Sequence, residues 1–230
     1  MTTNAEAQRR LVVDVWSDVM CPFCYMGDAL LSKALKQFPH AASVEVRYRS
    51  YQLMPQLPAD RAVNVNELLV REKGFPRAQA EAMNAQLAAR GKEIGLDYQF
   101  DKALAVNTRA AHRLSHFAKR KGKQHDLMLR LFRAYFTEGQ HLGKHEVLAD
   151  LAADVGLDRT AALDALASGA FEDDVKADEK KGRELGIQGV PFFVIDGKYA
   201  ISGAQPVGTF SKALDTAWKT RFGESAASVG

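Results

Sequence analysis

The sequence predicts an α/β fold with a mixed central sheet, split by a large all-helical insertion. Three observations carry this expectation. The N-terminal residues read strand, helix, strand; a long middle stretch is dominated by helix formers; strand patterns return near the C-terminus, followed by one amphipathic helix.

Leu11-Val12-Val13-Asp14-Val15-Trp16 is a nearly continuous apolar, β-branched run, as expected of a strand buried on both faces. Residues 22–38 then show helical spacing, with Leu30, Leu31, Ala34, Leu35 and Phe38 on one face and Pro39 as the stop. Val44, Val46 and Tyr48 alternate with Glu45, Arg47 and Arg49, which reads as a second strand. Strand, helix, strand favours parallel pairing. From residue 64 to about residue 186 the chain is rich in Ala, Leu, Glu, Lys and Arg, punctuated by glycine. About five to seven helices and no strand are expected there. No fixed repeat is visible, which argues against a solenoid. Phe192-Phe193-Val194-Ile195 restores strand character, Asp196-Gly197 suits a hairpin turn, and residues 198–201 return antiparallel. Pro206 precedes a last helix carrying Phe210, Leu214 and Trp218. The expected organisation is residues 10–60 and 187–222 as two halves of one domain, 61–186 as the helical insertion and 223–230 as a flexible tail. The insertion should emerge beside the active site.

Composition narrows the function classes. A hydrophobic fraction of 47% and a charged fraction of 26% in 230 residues are ordinary for a soluble globular protein. A net charge of +3 is too weak to argue for nucleic acid, and the basic run at residues 119–123 reads as a solvated loop. No apolar stretch approaches the roughly 20 residues needed to span a bilayer. Residues 1–10 are polar and lack a signal-peptide core, so a cytoplasmic location is expected. In a reducing compartment a paired cysteine motif is catalytic or metal-binding rather than structural.

The chain has two cysteines, and they form Cys21-Pro22-Phe23-Cys24. Pro22 suits the first helical position, which makes Cys21 the cap residue and Cys24 the third residue of the helix. A sulfur at the cap can accept backbone N–H hydrogen bonds, and the positive helix end favours its thiolate. Cys21 is therefore expected as the exposed attacker and Cys24, a turn deeper, as the thiol that resolves the mixed disulfide. Phe23 is the dipeptide residue placed to touch substrate. CxxC is also the common turn for two zinc ligands. His112 and His116, or His141 and His145, stand at helical spacing, but both pairs read as solvent-facing positions and no metal site is assigned. Val190-Pro191 opens a strand, where a cis bond would leave the Val190 backbone free to pair with an extended substrate.

The stretches DVWSDVMCPFCYMG (14–27), NTRAAH (107–112), GVPFFVI (189–195) and SGAQP (202–206) resemble the FrnE-type branch of the DsbA-like oxidoreductases. The resemblance runs over about residues 11–222. It implies a thioredoxin-like fold with a helical insertion, a nucleophilic Cys21, a resolving Cys24 and a cis Pro191 facing them. The broader family includes kappa-class glutathione transferases and 2-hydroxychromene-2-carboxylate isomerases, which bind glutathione but typically have Ser where Cys21 stands and lack the second Cys. The resemblance also places substrate contacts at Asn107 and in the Gly203-Ala204-Gln205 loop, with a helix cap as the competing role for Asn107. Many thioredoxin-fold enzymes bury an acid beneath the motif. Asp14 is the candidate on the first strand, with an ion pair to Lys or Arg as its other reading.

The expected activity is DsbA-family thiol–disulfide exchange with a protein or small-molecule disulfide or thiol. A glutathione-dependent isomerase or transferase is the alternative, and a zinc-binding CxxC protein or a chaperone-like groove comes after it. No cofactor is expected, glutathione is a candidate redox partner, neither nucleic acid nor membrane is expected as a partner, and an exposed face of the insertion could support a homodimer.

Overall fold

The computed structural model describes residues 10–223. Strand β1 (Leu11–Ser17) occupies an inner position of a four-stranded sheet, as its two-sided apolar run demands. It pairs in parallel with β2 (Val44–Ser50), from Leu11 opposite Val44 to Ser17 opposite Ser50. On its other side it runs antiparallel to β5 (Phe192–Ile195), with Val15 opposite Phe193 and Trp16 opposite Phe192. Strand β6 (Tyr199–Ser202) completes the order β2-β1-β5-β6, so the sheet is mixed. The β5–β6 turn has Asp196 and Gly197 at φ 53° and 67°; two consecutive left-handed residues are the reason for Asp-Gly here.

Helices α1 (Pro22–Gln37) and α9 (Val207–Phe222) pack together. Both meet Phe193: Phe210 of α9 stands edge-on to its ring, and Gly27 of α1 lies beside it. Trp16 faces the opposite way. Its indole N–H donates to the Asp178 carbonyl of α8 (Glu172–Glu184) at 3.0 Å.

Between β2 and β5 the described residues form α2 (Val65–Lys73), α3 (Arg77–Glu93), α4 (Arg109–Arg120), α5 (Gln124–Phe136), α6 (His145–Asp154), α7 (Arg159–Ala167) and α8. The expectation of no strand in this block is corrected by a small ribbon. β3 (Val63–Asn64) pairs antiparallel with β4 (Leu104–Ala105). Two-residue strands are too short to leave an alternating pattern. The tail expectation for 223–230 falls, apart from Gly223, outside the described residues.

The helices do not form a core of their own. Leu11, Leu31, Phe193 and Phe210 of the sheet half share one continuous buried cluster with Leu114, Leu131, Phe132 and Leu148 of the insertion. Two polar clamps fasten them to β2. Gln124 of α5 uses both ends of its amide, accepting from Tyr48 N and donating to Tyr48 O, each at 3.1 Å. The buried carboxylate of Asp178 accepts from Ser50 N and Arg49, each at 3.0 Å, and pairs with His116 Nε2 at 3.0 Å.

Candidate active site

Cys21 caps α1 in extended geometry, and the fixed φ of Pro22 starts the helix. Two expectations about Cys21 are corrected. Its side chain makes no capping hydrogen bond, and it is 4% exposed rather than open to solvent. The thiol instead donates to the Val190 carbonyl at 3.4 Å, so the strand-opening loop lies across it. The resemblance implied a Pro191 facing the cysteines, but not that the Val190 carbonyl would occupy the Cys21 thiol. Val190-Pro191 is cis.

Cys24 is 2% exposed. Burial pushes its thiol well up, and the neighbouring Cys21 sulfur pushes the same way; the Ser17 hydroxyl and the Asp18 backbone oppose this and lose. Cys24 is thus held as a thiol at neutral pH. Both cysteines are free. Phe23, between them, is 43% exposed.

The close approach of α1 to Pro191 depends on Gly27. A Cβ there would lie 2.9 Å from Pro191 Cγ and 3.0 Å from Phe193 Cζ. Gly27→Val should therefore push the Val190-Pro191 loop from the cysteines and destabilise the fold by about 1–3 kcal/mol. Thermal melts and alkylation of Cys21 by iodoacetamide check this: the melting temperature should fall and the alkylation rate rise, and an unchanged rate would show that the loop stays in place.

The insertion reaches the motif directly. The Tyr98 hydroxyl donates to the Pro22 carbonyl at 2.6 Å, and burial pushes Tyr98 upward so that it stays a donor. Gly91 of α3 makes the slot, since a Cβ there would meet the Tyr98 ring at 2.3 Å.

The remaining candidates fall as follows. Asn107 Oδ1 accepts from Arg109 N and Gln52, while its amide nitrogen donates to the Pro55 and Leu57 carbonyls. Its polar atoms thus pin the loop after β2 to the start of α4, while the cap position of that helix is held by Thr108. Gln205 is exposed and donates to the Ser202 carbonyl. Asp14 pairs with Arg49 at 2.8 Å, so the ion-pair reading is the one observed. His112 and His116 correct the expectation of solvent-facing positions. Both are buried, His116 on Asp178 and His112 Nε2 at 3.4 Å from Asp18 Oδ1. His141 and His145 are half-buried. Among the described residues no group of three or more His, Cys, Asp and Glu is placed to hold a metal ion.

Sequence reading missed the acids that are buried here. Asp18 is fully buried behind the motif, its carbonyl accepting from Cys21 N at 3.0 Å. Asp28 is buried on α1, bonded by Tyr48 and by His125. A carboxylate one turn after Cys24 on an otherwise apolar helix face was the available signal.

Residues 12–215 match the family described as a DSBA-like thioredoxin domain. The chain belongs to that family. It is 30% identical over 211 residues to the uncharacterized protein YwbO of Bacillus subtilis (strain 168), covering 91% of this chain and 98% of that one. A probable DsbA oxidoreductase of Streptomyces coelicolor superimposes with a TM-score of 0.87 at 38% identity, covering 94% of this chain and 93% of the other. The cytosolic disulfide reductase DsbM of Pseudomonas aeruginosa, also solved with GSH, shares the fold. Its TM-scores are 0.61 and, with GSH, 0.60, at 19% identity and coverages of 91% and 90% of this chain and 99% of that one. Among the described residues of this DSBA-like protein, no helix is long and apolar enough to cross a membrane.

Proposed function

We propose that this DSBA-like protein is a thiol–disulfide oxidoreductase that exchanges a Cys21–Cys24 dithiol or disulfide with protein or small-molecule disulfides. One observation carries the reading. A cap thiol and a buried, protonated partner share one helical turn, with the Val190 carbonyl 3.4 Å from the attacking sulfur. Cys21 attacks a substrate sulfur, and Cys24 then displaces the substrate from Cys21. Phe23 and Val190 border the sulfur and are the proposed substrate contacts, with Pro191 setting the wall behind them. Gln205 is proposed as an outer contact. Glutathione is the proposed small-molecule redox partner. A cytoplasmic location is part of the proposal: both cysteines of the chain lie in the motif, leaving none for structural disulfides.

Titration in glutathione redox buffers tests it. The Cys21–Cys24 pair should respond as one two-electron couple, a tenfold change in equilibrium constant for each ~30 mV. Independent glutathionylation of the two sulfurs without an intramolecular disulfide would count against it. Turnover that survives Cys24→Ser with glutathione present would favour a glutathione-dependent isomerase instead.

A further inference from the structure

A cavity of about 440 Å³ lies between α3 and the segment 98–101 ahead of β4, with Asn66 of α2 in its wall. That volume is within the range of small-molecule sites. Asn66 and Asn84 are 3% and 8% exposed, so two amides are sunk into the lining. Glu81, Gln99 and Asp101 supply the rest of its polar surface. The rings of Tyr98 and Phe100, stacked with centroids 5.3 Å apart, form an aromatic side.

The hydrogen bonds fix which end of each amide is free. An ionised carboxylate only accepts, so the Asn66 group 3.2 Å from Asp101 Oδ1 is the amide nitrogen. Asn66 Oδ1 then faces Asn84 and accepts from Asn84 Nδ2 at 2.7 Å. The relay ends on Asn84 Oδ1, which accepts nothing among the described residues. Gln99 follows the same logic. Its nitrogen donates to the Asp97 carboxylate at 2.6 Å, which leaves Oε1 over. The free amide ends of the lining are therefore acceptors, and the carboxylates of Glu81 and Asp101 add negative charge to them. A sunken acceptor without a donor is costly, and a bound donor removes that cost. Arg77, outside the lining, pairs with Glu81 at 2.8 Å, but the side chains are 69% and 47% exposed, so this pair is weak.

We propose that this cavity binds an organic cation, an ammonium or guanidinium carried on an aliphatic stem. The charged head donates to Asn84 Oδ1 and to the carboxylates, and the stem lies against the aromatic side, whose faces also attract the charge. Tyr98 joins the cavity to the CxxC turn: its ring lines the one, and its hydroxyl donates to the Pro22 carbonyl of the other at 2.6 Å. A Lys or Arg side chain of a polypeptide and a free polyamine carry the same chemistry. The proposal goes beyond the exchange reading and does not depend on it, since binding needs neither cysteine.

Titration calorimetry on the full chain at low salt tests it with three probes. These are N-acetyl-lysine methylamide, spermidine, and N-acetyl-norleucine methylamide as the uncharged control. At least one cation should bind and the control should not; the tighter of the two tells a side chain from a free amine. Asn84→Leu should weaken this binding at least about tenfold, the scale of a hydrogen bond to a charged group. Glu81→Gln, on an exposed position of α3, should weaken it by about twofold to fivefold. Salt at about 0.5 M should weaken it too. Millimolar cation that gives no binding, a control that binds equally well, or affinity unchanged in both variants would overturn the proposal. If Asn84→Leu does not fold, Glu81→Gln and the control decide: unchanged affinity in the variant overturns it.

Discussion

Cys21→Ser is expected to reduce disulfide exchange to the uncatalysed background, while Cys24→Ser accumulates a stable mixed disulfide with one glutathione per chain. The asymmetry follows from position. Cys21 sits at the start of α1 against Val190, and Cys24 is buried and held protonated. Without Cys21 the remaining thiol is held protonated, and a thiol is a poor nucleophile. Without Cys24 the first exchange proceeds, but nothing displaces the bound thiol. Intact-protein mass spectrometry after exposure to glutathione disulfide reads both outcomes directly. Equal adduct formation by the two variants would sink the assignment of attacker and resolver. Both substitutions are small, so circular dichroism should show the fold retained.

Asp178→Ala should cost about 3–5 kcal/mol of stability, the range for removing one partner of a buried ion pair. The change takes the carboxylate partner from His116, leaves Arg49 with Asp14 alone, and leaves the buried Ser50 N–H without its acceptor. In a chain of this size each kcal/mol lowers Tm by roughly 2–4 °C. The effect carries a pH signature. Burial alone would raise the Asp178 carboxyl, but His116, the Ser50 N–H and Arg49 outweigh it and hold the group below its ordinary value of 3.8. The unfolded chain therefore binds the proton more readily. The stabilisation is complete above the ordinary value and is lost as pH falls through the lower folded one. The gap in Tm between wild type and variant should narrow below about pH 4. A gap that persists undiminished at pH 3 would mean that packing, not the carboxylate, fastens α8 to the sheet.

The sheet and the two helices flanking the motif were legible because each repeats its pattern over enough residues. Leu11–Ser17 is apolar on both faces, and Val44–Ser50 alternates. The β3–β4 ribbon was not, since Val63–Asn64 carries no period. In the site, Cys21, Cys24 and Pro191 were legible through motif and spacing. The burial of Cys21 was not, because its cover comes from Val190. The histidines of α4 were misread for the same reason. Flanked by Arg113, Lys119 and Arg120 they look like a solvated face, and only the fold brings Asp18 and Asp178 to them. Asp28 likewise gains its meaning from Tyr48 and His125, on elements that local pattern cannot connect to it.

The clamps on β2 have a further effect, at the rim of the sheet. β2 is an outermost strand, and such strands expose N–H and C=O groups that can template a neighbouring chain. Tyr48 and Ser50 share one orientation along the strand, and their outward groups are taken: Gln124 occupies both at Tyr48, and the Asp178 carboxylate occupies the N–H at Ser50. An amide and a carboxylate imitate the next strand without offering one. The Tyr48–Ser50 stretch of this border is thereby covered against edge-to-edge pairing, so loss of Gln124 would open a site for self-association as well as weaken a contact.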